Sequence, residues 1–202
     1  LPHLVVEKVT KTFAVNGALL RAVDGVSFEI ERGQFASIIG HSGSGKTTLL
    51  SMVGGLSRPS SGRVLFDGED VYSKDSDELS DYRCEQIGFV FQFASLLPAL
   101  TARENLLLPG GFRSRRPRAD EVEEKALELL TLVGLRDKAD AFPSQLSGGQ
   151  QRRVAIARAF MNDPALILAD EPTGDLDEET EAEVMGVFRT MSERSRSTFL
   201  MV

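Results

Sequence analysis

The sequence predicts an α/β fold, with a parallel sheet flanked by helices around a phosphate-binding loop, an antiparallel sheet towards the N-terminal end, and an inserted helical lobe. Three observations predict it. Residues 40–47 read Gly-His-Ser-Gly-Ser-Gly-Lys-Thr, the pattern G-x-x-x-x-G-K-[ST], between a short apolar run and a helical segment. Apolar runs alternate with helix-like segments on both sides of the chain's middle, which implies a parallel sheet with the ligand at the carboxyl ends of its strands. Between residue 92 and about residue 145 the texture changes to apolar residues at helical spacing.

The elements follow in order. Residues 4–13 and 19–30 are rich in Val, Leu, Phe and Ile and are broken at Asn16-Gly17 and Asp24-Gly25, as strands of an antiparallel sheet would be. Residues 34–39 form a short apolar run into the phosphate loop, and residues 46–53 form the helix after it. Residues 62–66 make another strand with an Asp67-Gly68 turn, and residues 87–91 a short one. Val122, Ala126, Leu129, Leu130 and Val133 share one helix face, and Gly134 ends it. Residues 165–169 read as a buried strand that delivers Asp170-Glu171. Residues 178–193 are helical, and residues 198–202 form the next strand. The expected division is a single domain over residues 1–202, with 1–91 and 151–202 as the α/β core and 92–150 as the helical lobe. Because the last apolar run stops at Val202, we expect a C-terminal piece beyond it, without which that strand would be unsupported.

Composition narrows the function. The chain has 202 residues, 42% hydrophobic and 26% charged, which is ordinary globular composition. Its net charge of −7 argues against a general nucleic-acid binder, which carries a basic excess. One cysteine, Cys84, permits no internal disulfide and no metal cluster and reads as a bystander thiol. No apolar run approaches the roughly 18 residues that span a bilayer, so a membrane role would come through a partner. Arg113, Arg115, Arg116 and Arg118 form a local basic run. A solvated linker is the plainer reading, and contact with acidic lipid headgroups the sharper one.

Glycines at 40, 43 and 45 let consecutive N–H groups turn inward to cradle phosphate ahead of a positive helix end. His41, Ser42 and Ser44 complete the loop. Lys46 is placed to reach the β- and γ-phosphates, Thr47 to bind Mg²⁺, and Thr48 to add an α-phosphate contact. A second motif, Leu-Ser-Gly-Gly-Gln at 146–150, puts a serine and two glycines ahead of an amphipathic segment, a second anion site. The plainer alternative for Ser147 is a helix cap.

With both motifs, the chain from Leu4 onward resembles the ATP-binding-cassette ATPases, whose signature is Leu-Ser-Gly-Gly-Gln and whose fold is a P-loop NTPase core with an antiparallel β subdomain and an inserted α-helical subdomain. The resemblance implies ATP and Mg²⁺ as cofactors. It implies that Asp170 holds the magnesium and that Glu171 is the general base for the attacking water. It further implies that Gln92 reads the γ-phosphate, the metal and that water, and that Phe13 stacks on adenine. A core role for Phe13 and a solvent-facing Gln92 are the competing readings. Ser147, Gly148, Gly149 and Gln150 would cover the γ-phosphate held by a second copy of the chain, in a head-to-tail sandwich dimer around two ATP. Gly174-Asp175-Leu176-Asp177 falls at the family's dimer-interface loop. The family's switch histidine would follow residue 202; His3 and His41 are not in its place.

Residues 93–105, with Leu-Leu-Pro-Ala-Leu-Thr-Ala-Arg-Glu-Asn at 96–105, resemble the subgroup that serves lipoprotein release, macrolide and peptide efflux, antimicrobial-peptide resistance and a cell-division complex. This implies a peripheral ATPase subunit on the cytoplasmic face of the cell membrane, with an integral membrane permease docking near Gln92–Leu100. Lobe packing is the plainer role for these leucines. A soluble cassette ATPase of DNA maintenance or translation and a small-molecule kinase are the alternative functions. The first is disfavoured by the hundred-residue gap between the motifs and the single phosphate loop, the second by Leu-Ser-Gly-Gly-Gln.

Overall fold

The computed structural model describes every residue except Leu1, Asn16, Arg115, Arg116 and Asp175. The Asn16 break, the middle of the basic run and the Asp175 position of the expected interface loop therefore lie outside the described residues. Two four-stranded sheets carry the fold. In the first, β1 (Leu4–Val15) pairs antiparallel with β2 (Ala18–Ile30) on one side and with β4 (Ser61–Phe66) on the other. β5 (Glu69–Asp70) closes that sheet after the Asp67-Gly68 turn.

The second sheet has the order β3-β8-β7-β6 and is parallel throughout. It consists of β3 (Phe35–Ser37), β6 (Ile87–Val90), β7 (Leu166–Ala169) and β8 (Thr198–Met201). β7 is buried on both faces, as parallel central strands are. Its side chains alternate between two cores. Leu166 and Leu168 pack towards the antiparallel sheet and α1 (Lys46–Val53), while Ile167 and Ala169 pack towards the helical layer. Each fully buried leucine there contributes about 1.5–3 kcal/mol. The expectation of an unsupported last strand is corrected: β8 lies between β3 and β7, hydrogen-bonded on both sides and buried along Thr198–Leu200.

The helical layer holds α3 (Ala102–Leu107), α4 (Ala119–Leu132), α5 (Gly148–Ala159) and α6 (Glu178–Arg194). Ala126, Leu129 and Leu130 of α4 bury the face that the spacing predicted. Two helices escaped the sequence reading. α2 (Ser76–Asp81) buries none of its own residues and is held by an Asp75–Glu78 capping box before a π-helical turn at Tyr82–Gln86. α3 is only six residues long and is capped by Thr101 and Glu104. Cys84 is half-buried with its thiol towards the Pro109 carbonyl. Burial pushes that thiol's pKa up, as suits an inert side chain. In the basic run, Arg118 pairs with Asp120 at 2.6 Å, and Arg113 stands 3.9 Å from Glu85.

Candidate active site

The phosphate loop runs from β3 into α1. Gly45, at φ 90°, sits where a Cβ would stand 2.1 Å from the Ala22 carbonyl, so only glycine lets β2 approach the loop this closely. α1 has no acidic residue in its first turn, so its N-terminal amides and dipole stay free for an anion. Lys46 is drawn back over the loop, and its Nζ donates to the carbonyls of Gly40 at 3.0 Å and His41 at 3.2 Å. Ser42, Gly43 and Ser44 form the exposed crest of the loop, and Thr48 is half-buried on α1.

β7 brings its two carboxylates to this loop. The Thr47 hydroxyl donates to Asp170 Oδ1 at 2.9 Å, and Lys46 Nζ stands 3.4 Å from Glu171 Oε1. Burial raises the Asp170 carboxyl above the usual aspartate value. The Thr47 hydrogen bond opposes this, the Glu171 charge adds to it, and Lys46 offsets part of it. Glu171 has φ 42°, a left-handed backbone costly for a side-chain-bearing residue. Its N–H donates to the Val202 carbonyl and its own carbonyl accepts from Gly174, which fix the bend as the chain leaves the sheet.

Gln92 follows β6, the strand beside β7, and is half-buried. A Cβ placed on Gly174 would stand 3.5 Å from its Nε2, so its amide lies at the turn that follows Glu171. Phe13 is 41% exposed near the end of β1, opposite Leu20, with Lys11 Nζ 5.3 Å above its ring. A core role for Phe13 is thereby removed, and its ring is available on the strand pair that abuts Gly45.

Ser147 and Gln150 occupy a different place. Ser147 caps α5: its Oγ accepts from Gln150 N at 3.2 Å, and Gln150 Oε1 accepts from Ser147 N at 2.9 Å. The cap uses the hydroxyl as acceptor and leaves its proton to donate outward. Gly148 has open space on its Cβ side, whereas a Cβ on Gly149 would meet Thr180 of α6 at 2.6 Å. Among the described residues, no hydrogen bond joins Ser147–Gln150 to Lys46, Asp170 or Glu171. Among the described residues, the two motifs of one chain thus lie apart, one on the loop before α1 and one at the start of α5. Asp177 of the expected interface loop caps α6 through Thr180 N and Oγ1, and that backbone hydrogen bond holds its carboxyl below the usual range.

Two residues not assigned a site role in the sequence reading organise the surroundings. Asn105, the last residue of the 96–105 motif, is fully buried. Its amide donates to the carbonyls of Leu97, Leu100 and Thr101 and accepts from Leu97 N, which folds the 97–101 turn around it. Arg152 of α5 reaches the Phe91 and Gly174 carbonyls, each at 3.2 Å. Beside this region an open groove of about 430 Å³ is lined by Leu56, Phe89, Phe91, Pro109, Phe112 and Arg158.

A strand, a glycine loop, a helix, and a Lys-Thr pair facing two carboxylates define a phosphate-loop nucleotide-binding protein. Similarity then fixes its family. The ABC transporter family profile matches residues 23–174, and the chain belongs to that family. It is 49% identical over 189 residues to an uncharacterized ABC transporter ATP-binding protein of Thermotoga maritima, covering 94% of this chain and 80% of that one. It is 42% identical over 200 residues to the lipoprotein-releasing system ATP-binding protein LolD 1 of Chlorobium chlorochromatii, covering 98% and 81%. The solved dimeric ATP-binding cassette MJ0796 with ADP and Pi, in a post-hydrolysis state, superposes with a TM-score of 0.88 at 40% identity, over 98% of this chain and 87% of that one. The fold is thus the P-loop NTPase cassette, and the chain is an ABC transporter ATPase subunit that binds ATP. Among the described residues, no helix is long and apolar enough to cross a membrane.

Proposed function

We propose that two copies of this chain close head to tail around two Mg-ATP and drive an integral membrane permease of the lipoprotein-, peptide- or drug-export type. One observation carries the reading. The chain holds a phosphate loop facing two carboxylates and, apart from it, a glycine-serine helix start whose outward face is unused. A second copy turned by a two-fold axis would set the Ser147-Gly148-Gly149 end of each chain against the phosphate loop of the other.

In this reading Lys46 and the loop amides bind the β- and γ-phosphates, Gly40–Thr48 wraps them, and Phe13 stacks on adenine. Thr47 and Asp170, whose side-chain oxygens meet at 2.9 Å, would hold Mg²⁺, which when bound would supply positive charge to offset that of the phosphates. Glu171 takes the proton of the attacking water and Gln92 orients that water. The Ser147 hydroxyl and the Gly148 and Gly149 amides stabilise the γ-phosphate from the partner copy.

The permease would dock near Gln92–Leu100, beside the groove lined by Phe91 and Phe112, and would hold the subunit peripherally at the cytoplasmic face. The MacB protein of Syntrophobacter fumaroxidans, a macrolide export ATP-binding/permease protein, matches over 97% of this chain but only 27% of its own length. That composition supports a permease partner here.

Light scattering of a Glu171→Gln chain with Mg-ATP tests the reading. The expected species is a dimer with one ATP per chain. A monomer with ATP bound would overturn it.

A further inference from the structure

We propose that Arg152 is a positioning residue for hydrolysis, a fork on the signature helix that sets Gln92 and the turn after Glu171 against one another. The inference rests on the site reading above and adds a residue to it.

Arg152 lies five residues after the Ser147 cap, on α5, and is only 6% exposed. Its two terminal nitrogens go to two different segments. Nη1 donates to the carbonyl of Phe91, the residue before Gln92. Nη2 donates to the carbonyl of Gly174, whose own N–H donates to Glu171 O at 3.0 Å. The segments it bridges are those that meet at the Gln92 amide, beside Gly174. A planar guanidinium spans two carbonyls at fixed separation. A lysine ammonium is a single point, and a glutamine amide has one NH₂.

A second arginine strengthens the geometry. Arg158, two turns further along α5, donates to Ser95 O at 2.9 Å and Ala94 O at 3.1 Å. Carbonyls before and after Gln92 are therefore both tied to the helix whose N-terminus is Ser147. Arg158 also lines the groove. Its hydrogen bonds go to Ala94 and Ser95, whereas those of Arg152 join the segment before Gln92 and the turn after Glu171 to α5. A shift of α5 moves Gln92 and the Glu171 turn as one piece. Misplacing a water-orienting group by about 1 Å costs on the order of 100-fold in rate. Binding of ATP rests on Lys46 and the loop amides, whereas Nη1 and Nη2 of Arg152 donate to Phe91 and Gly174.

The test uses Arg152→Lys and Arg152→Gln in the full chain, with steady-state ATPase kinetics and amide hydrogen exchange. The expected result is a kcat lower by about tenfold or more in both, with KM for ATP within about twofold. Exchange at Phe91–Phe93 and Gly174 should rise, and exchange at Gly43–Thr47 should stay unchanged. A structural role alone would raise exchange throughout, or raise KM together with any loss of kcat, and either result overturns the proposal. Wild-type kcat in Arg152→Lys overturns it as well. Glu171→Gln in parallel separates the two readings. If that variant is inactive while both Arg152 variants turn over normally, only the Arg152 inference fails; if it hydrolyses ATP normally, the site reading fails.

Discussion

The phosphate-loop end and the Leu-Ser-Gly-Gly-Gln end of this chain differ in how they are finished. At the phosphate end, Lys46, Thr47, Asp170 and Glu171 come from residues more than 120 apart in sequence and contact one another directly. At the signature end, the polar groups are spent locally, in a cap between Ser147 and Gln150, and the face beyond Gly148 is open. The first site assembles by folding alone. The second is folded with open space beside Gly148, and in the proposed dimer its remaining hydroxyl proton and amides would serve the other copy's nucleotide. Asymmetry within one chain is therefore a reason to expect symmetry between two.

The largest effects should fall at the phosphate end. Lys46→Ala removes the side-chain cation of the loop and should lower hydrolysis by about 100-fold or more, with weakened nucleotide binding in a fluorescent-ATP titration. Glu171→Gln should lower kcat by about 100- to 10,000-fold, because an amide cannot accept the water's proton, while equilibrium binding of ATP is kept. Strong hydrolysis by either variant would erase the distinction drawn for that end.

A smaller effect separates base from phosphate recognition. Phe13→Ala should weaken ATP binding about tenfold and leave binding of inorganic triphosphate unchanged, since only base stacking is lost. Equal losses for both ligands would show that Phe13 shapes the loop.

The smallest effect is on stability. The Asp170 carboxyl is raised in the folded state, so in that window the folded chain binds more protons than the unfolded one, and stability falls as pH rises through it. Asp170→Asn removes the cost of the buried charge. The variant should melt slightly higher than wild type near neutral pH, with the gain fading as pH drops towards and below the ordinary aspartate pKa near 4. A gain that grows in acid would contradict the sign. The same variant should be inactive, a case of stability given up for function.

The sequence-based reading does better where the chemistry itself fixes spacing. A phosphate loop needs glycines and a lysine at set intervals, and a buried parallel strand needs an unbroken apolar run, so Gly40–Thr47 and the approach to Asp170 were readable. Sheet order was not, because local pattern does not say that Thr198–Met201 lies between two other strands. α2 was hidden because it has no fully buried residue, with Leu79 only half-buried against the core, and is held by its cap. α3 was hidden because six residues carry too little periodicity. Arg152 is one of several charges in the segment after the Leu-Ser-Gly-Gly-Gln motif, and nothing in its spacing marks it out. Its proposed role rests on folding, which brings Phe91 and Gly174 to the same guanidinium.

The most direct test of the claim that the signature end works on another copy's nucleotide is a mixing experiment. A Ser147→Arg chain keeps its phosphate loop and loses its signature end; a Lys46→Ala chain does the reverse. With Glu171→Gln in both backgrounds to prevent turnover, neither chain alone should form a dimer with trapped ATP. Mixed, they should form a heterodimer with one ATP, bound by the loop of the first chain and the signature of the second. ATP retained in dimers of the Ser147→Arg chain alone, or no trapping in a mixture whose chains each fold, would contradict the account.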